Sequence, residues 1–189
     1  ILLPLVLWLV PAALAEAGAA GPVIRVGLWS GQPNIIIAAD SEFSLIDRDS
    51  REVLGAYRAK EKVAVSARNS GLAVNGKTVA AREIAVLLPE NTPAFIEVNR
   101  RTYRGAISIR RTVGKNGLTV VNTLPLEEYV YGVIAREVSA DWPLEALKAQ
   151  AVAARTYALC NLGRHGDDGY DLCAASHCQA YGGQTAEDP

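Results

Sequence analysis

From residue 22 onward the apolar positions first recur with a period of two and later with a period between three and four, which predicts strands followed by helices. Ile24, Val26 and Leu28 alternate with Arg25 and Gly27, and residues 35–37, 43–46 and 62–66 are further short β-prone runs. Asn75 and Gly76 separate LAV from KTV, and a two-residue hairpin turn needs positive φ at both of these positions. Prolines at 89 and 93 mark an expected break. Beyond it residues 95–99 and 105–111 read as strands, and a second Asn-Gly pair at 116–117 is expected to turn the chain into LTVVN.

Two amphipathic helix patterns follow. In the first, Leu126, Val130, Val133 and Ile134 recur at helical spacing while Glu127, Glu128 and Arg136 fall on other faces. In the second, Pro143 suits the first helical position, and Leu144, Leu147, Ala151, Ala154 and Ala158 make a narrow apolar stripe. Strand runs directly into helix at LPLEEY, so the expected fold class is α+β. Residues 22–92 read as a small β-rich module and 93–189 as a mixed helix and sheet domain. No internal repeat is present.

Composition narrows the function. Half of the 189 residues are apolar, enough for a core, and a net charge of -1 supplies no basic field for nucleic acid. Arg100, Arg101, Arg104, Arg110 and Arg111 form a local basic cluster, read either as a solvated sheet face or as contact with an anionic cell-wall polymer. The first ten residues, ILLPLVLWLV, are apolar but too short to span a bilayer, and Ala13 and Ala15 stand where a signal peptidase reads small residues. Residues 1–21 are therefore expected to be a signal peptide or membrane anchor with a short linker, and the protein to be exported. The sequence contains no methionine and no basic residue before the apolar run, so it is expected to lack its natural N-terminus.

Candidate chemistry concentrates in one region. Glu137 falls where the first helix pattern ends, flanked by Ile134, Val138 and Trp142, and a carboxyl held against apolar walls has its charged form disfavoured, the setting of a general acid. The plain alternative is a solvated glutamate at a helix end. Cys173, His177 and Cys178 lie within six residues, with His165 upstream. Thiolate and imidazole are preferred zinc donors, but in an exported protein the same cysteines also suit a disulfide, Cys173 with Cys178 or either with Cys160.

The run LPLEEYVYGVIAREVSADWPLEALKAQAVAARTYAL, with YRG at 103–105 upstream and YDLC and HCQAYGG downstream, resembles the stage II sporulation protein D family, which includes bacterial amidase enhancers. The resemblance covers roughly the second half of the chain. It implies an envelope protein acting on peptidoglycan glycan strands, a lytic transglycosylase that prefers strands stripped of stem peptides, with Glu137 as the essential glutamate. Val138 and Ser139 stand where many relatives carry Met and Pro, a change beside the carboxylate that leaves the carboxylate itself in place. It further implies zinc, held by Cys173 and Cys178, with His165 and His177 competing for the next position and Cys160 a packed core thiol. Around the glutamate, Tyr131, Trp142 and Tyr181 are expected to offer stacking or hydrogen-bonding surfaces to sugars and Gln179 to bind an acetamido group, although each, Trp142 above all, is equally readable as core packing. Arg155 is expected either to orient a carboxylate or to solvate its helix. Asp141 and Glu145 are the nearest candidates for a second carboxylate. Family members usually continue past HCQAYGG, so the catalytic domain is expected to be incomplete. The competing expectation is a non-catalytic glycan-binding module that stimulates a separate cell-wall amidase or joins other envelope proteins.

Overall fold

Alternation at the start of the β-rich part becomes β1 (Val23–Gln32), in which Ile24 and Val26 are fully buried while Arg25 faces out. The computed structural model describes residues 21–68, 71–90 and 93–187. The expected signal or anchor segment lies outside them. Among the described residues no helix is long and apolar enough to cross a membrane.

The strands after β1 are β2 (Asn34–Ala39), β3 (Phe43–Asp47), β4 (Val53–Tyr57), β5 (Val63–Arg68), β6 (Gly71–Val74), β7 (Lys77–Val79) and β8 (Glu83–Leu87). They continue with β9 (Ile96–Val98), β10 (Arg101–Tyr103), β11 (Ala106–Arg111) and β12 (Leu118–Pro125), then the helices α1 (Leu126–Glu137) and α2 (Leu144–Cys160), and last the two-residue β13 (Leu172–Cys173). The fold is α+β, with β-rich sequence first and helices after it.

One sheet has the order β13-β1-β12-β11-β8-β3-β4 and the other β10-β9-β2-β5-β6-β7. Both draw strands from either side of residue 92: β1 pairs with β12, β8 with β11 and β2 with β9. Pro89 and Pro93 therefore lie between β8 of one sheet and β9 of the other, and mark no boundary in the pairing. Proline reports the local backbone and carries no information about which strands pair across it. A single buried cluster joins Ile35, Ile37, Val63 and Leu72 of one sheet to Ile24, Leu45, Ile84 and Ile109 of the other, and to Tyr129 and Val133 of α1.

The first Asn-Gly pair forms the expected turn, with φ of 47° at Asn75 and 82° at Gly76 between paired Val74 and Lys77. The second does not. Arg111 pairs with Leu118, so the connection runs from 112 to 117 and is closed by Thr112 N–H donating to the Gly117 carbonyl at 2.9 Å. Positive φ falls on Gly114 and Gly117, and a Cβ on Gly117 would stand 2.5 Å from the Gly31 backbone. Close approach to β1, and not a tight turn, accounts for this glycine.

β12 passes into α1 through Pro125 with no intervening loop, and Leu126 N–H donates to the Pro22 carbonyl at 2.8 Å. Glu127 and Glu128 in the first turn and Arg136 in the last complement the helix dipole. The chain turns extended at Val138 and re-enters helix after Pro143. After α2 a loop leads to β13, which lies parallel to β1, and the remaining chain crosses α1.

Candidate active site and metal centre

Glu137 closes α1, where the last helical carbonyls and the turn at Val138 leave its side chain at the surface. The apolar enclosure expected around it does not form: Glu137 is exposed, and Trp142 is 52% exposed. What holds the carboxylate is polar, since Ala180 N–H donates to Oε1 at 2.8 Å.

Ala180 follows the cysteine and histidine segment by two residues, so the glutamate and that segment form one unit. His165, Cys173, His177 and Cys178 bring one donor atom each to within 4.8 Å of one another. His165 Nε2 lies 3.3 Å from Cys178 Sγ, and His177 Nδ1 lies 3.6 Å from Cys178 Sγ and 3.7 Å from Cys173 Sγ. The edge of a tetrahedron with a metal–sulfur bond of about 2.3 Å and a metal–nitrogen bond of about 2.0 Å is roughly 3.5 Å. The two histidines do not compete, because both converge on the cysteines. His165 turns its other ring nitrogen toward Asp168, with Nδ1 3.7 Å from Oδ2, and its ring stacks on Tyr170. These four residues can hold a metal ion. All three cysteines are free thiols, and Cys160, expected in the core, is exposed at the end of α2. Burial pushes the Cys178 thiol above its usual range, with the neighbouring Cys173 thiol adding to the effect.

From Cys178 onward the chain is strapped to α1 and the sheet. Gly182 N–H donates to the Gly132 carbonyl at 3.1 Å. Tyr129 O–H donates to Gln179 Oε1 at 3.2 Å, and Tyr181 O–H donates to Asn122 Oδ1 at 2.9 Å. Burial pushes both phenols well above their ordinary range, so they act as neutral donors. Asn122 is fully buried and spends its amide on the carbonyls of Arg104 and Ala106, which fixes the far end of the network in the sheet. The two tyrosine rings stack with centroids 5.1 Å apart. Gln179 and Tyr181, expected at the sugar surface, therefore sit inside with their polar groups committed to protein partners.

The other expected ligand-binding residues separate from these. Tyr131 and Trp142 are each 52% exposed, so Trp142 is not a core aromatic. Arg155 does orient a carboxylate, but it is Glu127, with Nε and NH2 each 2.6 Å from an oxygen. Asp141 accepts from Ser139 Oγ and Glu145 from Lys148. In the basic cluster Arg104 grips Glu187 with two bonds, Arg110 donates to the Asp168 carbonyl and Arg111 to the Arg68 carbonyl. An apolar cleft of about 470 Å³ lies along α1, lined by Tyr131, Ile134, Ala135, Val138, Ala140 and Leu147, with the Arg104–Glu187 pair at its polar wall. Glu137 is not among its lining residues, which occupy a different face of the helix.

Sequence reasoning missed Asp171, which receives two bonds from the Arg25 guanidinium and one from its backbone N–H. The available signal was its place in YDLC, two residues before a donor cysteine. Tyr129 and Asn122, which anchor the strap, carry no signal in the sequence beyond their places in a helix pattern and a strand run.

Residues 114–189 match the family described as Stage II sporulation protein. Stage II sporulation protein D of Bacillus subtilis is 50% identical over 52 residues, 28% of this chain and 14% of that protein. The amidase enhancer of Bacillus subtilis is 38% identical over 99 residues, 51% of this chain and 13% of that protein. An uncharacterised protein of Chlamydia muridarum is 29% identical over 144 residues, 76% of this chain and 49% of the relative. The chain thus spans about half or much less of the length of these relatives. No solved structure matches it. Glu137, the strap over α1 and all four donors of the cysteine and histidine group fall inside residues 114–189, the stretch that is similar to the Stage II sporulation protein family.

Proposed function

We propose that this protein cleaves the glycan backbone of peptidoglycan as a lytic transglycosylase, with Glu137 as general acid and then general base. The observation that carries the reading is the placement of Glu137: exposed at the end of α1, with Oε1 fixed by Ala180 N–H. A carboxyl held by one oxygen keeps its orientation while the other moves a proton. The Glu137 acid gives its proton to the glycosidic oxygen between N-acetylmuramic acid and N-acetylglucosamine as that bond breaks and an oxocarbenium-like centre develops. The carboxylate then takes the proton of the muramic C6 hydroxyl, whose oxygen closes on the anomeric carbon to give a 1,6-anhydro end. No water is consumed and one carboxyl serves both steps. Hydrolysis would need a second carboxylate opposite the first, and the nearest in sequence, Asp141 and Glu145, are engaged by Ser139 and Lys148.

Tyr131, midway along α1, and Trp142, in the turn after it, offer exposed rings for sugar stacking. Zinc is the ion we assign to His165, Cys173, His177 and Cys178, because a two-sulfur, two-nitrogen set at tetrahedral spacing suits it. With four protein donors the site is closed, so the metal's part is to hold the strap that presents Ala180 to Glu137. The work on glycan would take place outside the cytoplasm, the chain being exported through its apolar first residues.

The test is digestion of purified glycan with mass spectrometry of the new ends. Anhydro-muramic ends are expected, and Glu137→Gln, which keeps the shape but removes the acid, is expected to lower their formation by about 100-fold to 10,000-fold while leaving the fold intact. Near-normal cleavage by the folded variant removes Glu137 from the mechanism, and reducing ends alone mean hydrolysis. The similarity to an amidase enhancer supports a second reading, a module that binds glycan and stimulates an amidase. Glycan that is bound and left uncut by the wild-type protein would select it.

A further inference from the structure

Three separate pieces of chain deliver the four metal donors. His165 comes from the loop after α2, Cys173 from β13, and His177 with Cys178 from the segment beyond. β13 is only two residues long, with Leu172 beside Val26 and Cys173 beside Gly27, too little ladder to fix a register by itself. Asp171 supplies the rest. Its Oδ2 accepts from the Arg25 backbone N–H at 2.9 Å and from Arg25 Nε at 3.2 Å. Its Oδ1 accepts from Arg25 NH2 at 2.8 Å and from Gly163 N–H at 3.2 Å. Its own N–H donates to the Arg25 carbonyl at 2.8 Å, and its carbonyl accepts from His165 N–H at 3.3 Å. One residue therefore ties β1 to the loop that bears His165 and to the strand that bears Cys173.

A carboxylate offers about four lone-pair sites, and these are filled by four donors from Arg25 and Gly163. Asp171 has none left for a cation, so although it stands two residues before Cys173 it is not a fifth ligand. We propose that Asp171, clamped by Arg25, is the positioning residue of the metal centre, setting His165 and Cys173 so that the four donors already converge when the ion arrives. This rests on the metal reading of the cysteine and histidine group. Tyr170 supports the same arrangement: its ring stacks on His165 at 5.1 Å and lies over Gly27, where a Cβ would come within 2.6 Å of it.

The test measures zinc affinity of the full chain by competition with a chromophoric chelator, together with the ligand-field spectrum of the cobalt(II)-loaded protein. Wild type is expected to bind about one equivalent, Cys173→Ser to lose it and Cys160→Ser to keep it. Asp171→Asn puts an amide NH2 where one oxygen accepted, and is expected to weaken zinc about 10-fold to 100-fold and to distort the tetrahedral cobalt spectrum while circular dichroism stays native. Arg25→Lys keeps the charge and loses the fork, and is expected to weaken zinc less. Glu83→Gln breaks the Arg48–Glu83 pair, which touches none of the four donors, and is expected to leave affinity unchanged. A wild-type protein that binds no metal overturns the metal reading and the inference with it. A wild type that binds zinc, beside a folded Asp171→Asn of equal affinity and spectrum, overturns the inference alone. So does an equal loss in Glu83→Gln, which would make the effect general destabilisation. Should Asp171→Asn fail to fold, Arg25→Lys decides in the same way, unchanged affinity overturning the proposal.

Discussion

The strand-rich part and the part that carries the site are held by different forces. In the sheets Ile35, Ile37, Leu45, Val63, Leu72, Ile84 and Ile109 are completely buried and belong to one cluster. In α2, by contrast, only Ala154 and Ala158 of 17 residues are buried, while Leu144 and Val152 are 64% and 59% exposed. The site shares in that cluster through Tyr129, Leu172, Cys178 and Tyr181, but its polar groups are set by individual ties: Ala180 to Glu137, Tyr129 to Gln179, Tyr181 to Asn122 and Arg25 to Asp171. Apolar burial is non-directional and sums over area, so it stabilises the sheets without fixing any one atom. A hydrogen bond contributes little net stability but dictates where its acceptor points. Stability and site geometry should therefore be separable by mutation.

The largest effect should come from the sheets. Ile37 sits on β2 between Val63 of β5 and Val98 of β9 and is fully buried. Ile37→Ala is expected to cost about 2–5 kcal/mol in urea unfolding, through lost transfer energy and the cavity left behind. Below the transition its metal content and glycan cleavage should stay near wild type. A selective loss of metal in the folded variant would break the comparison, because it would make the site depend on burial far from it.

Gly132 tests the other half. It has ordinary helical geometry, and its lack of a side chain matters because the strap lies directly on it: a Cβ would stand 2.6 Å from Tyr181 Cε2 and 3.2 Å from Gly183 N. Gly132→Ala must lift the strap from α1 and draw Ala180 away from Glu137. Overpacking of this kind costs about 1–3 kcal/mol, partly offset by alanine's better helix propensity. Cleavage should fall further than this loss of stability accounts for. Equal activity at wild-type Tm would show that the contact does not position the glutamate.

This division also explains what could be read from the sequence. β1 and both helices announced themselves by period, β2, β3 and β5 as short β-prone runs, and β12, buried on both faces over 118–122, as the run that follows an Asn-Gly pair. β8 was legible in principle, with Ile84 and Val86 alternating against Glu83 and Ala85. β10 was not, because its hairpin uses Asn99 and Arg100 at φ of 48° and 68° where a glycine would normally signal the turn. Strand partners across Pro89 and Pro93 left no local trace. At the site, residue types carried Glu137 and the four donors, but nothing marked which polar side chains face inward. Gln179 and Tyr181 look like ligand-binding residues in sequence and are recognised as internal only when Tyr129 and Asn122 are seen beside them.

Acid should dissect the two halves in a fixed order. Burial alone would raise the Asp171 carboxyl, but the Arg25 guanidinium and the backbone N–H groups of Arg25 and Gly163 outweigh it and hold the carboxyl below its usual range. A carboxyl depressed in the folded state contributes stability that is fully present above its unfolded value of about 3.9 and is lost as pH falls through the lower folded value. Amide exchange followed from pH 6 downward should therefore show the 163–173 loop losing protection in that acid range while β2 and β5 keep theirs. Simultaneous loss in the strands would mean that the clamp and the sheets unfold as one unit.

The smallest effect should come from a pair that looks strong. Arg155 meets Glu127 through two bonds of 2.6 Å and links α2 to α1, yet the side chains are 34% and 54% exposed. Water and salt screen such a pair, and the entropy of fixing two long side chains opposes it, so exposed pairs of this kind contribute about 0–1 kcal/mol. Arg155→Met keeps most of the stem and is expected to change stability by less than about 1 kcal/mol. Because Arg155 is occupied with Glu127 and not with Glu137, glycan cleavage by the variant should stay within a factor of about two, a change too small for a lost charged contact to substrate. Double-mutant analysis with Glu127→Gln would measure the coupling itself. If Arg155→Met instead abolished cleavage at wild-type stability while Glu127→Gln did not, the guanidinium would have to leave Glu127 and reach the glycan, and the outer face of α2 would join the active site.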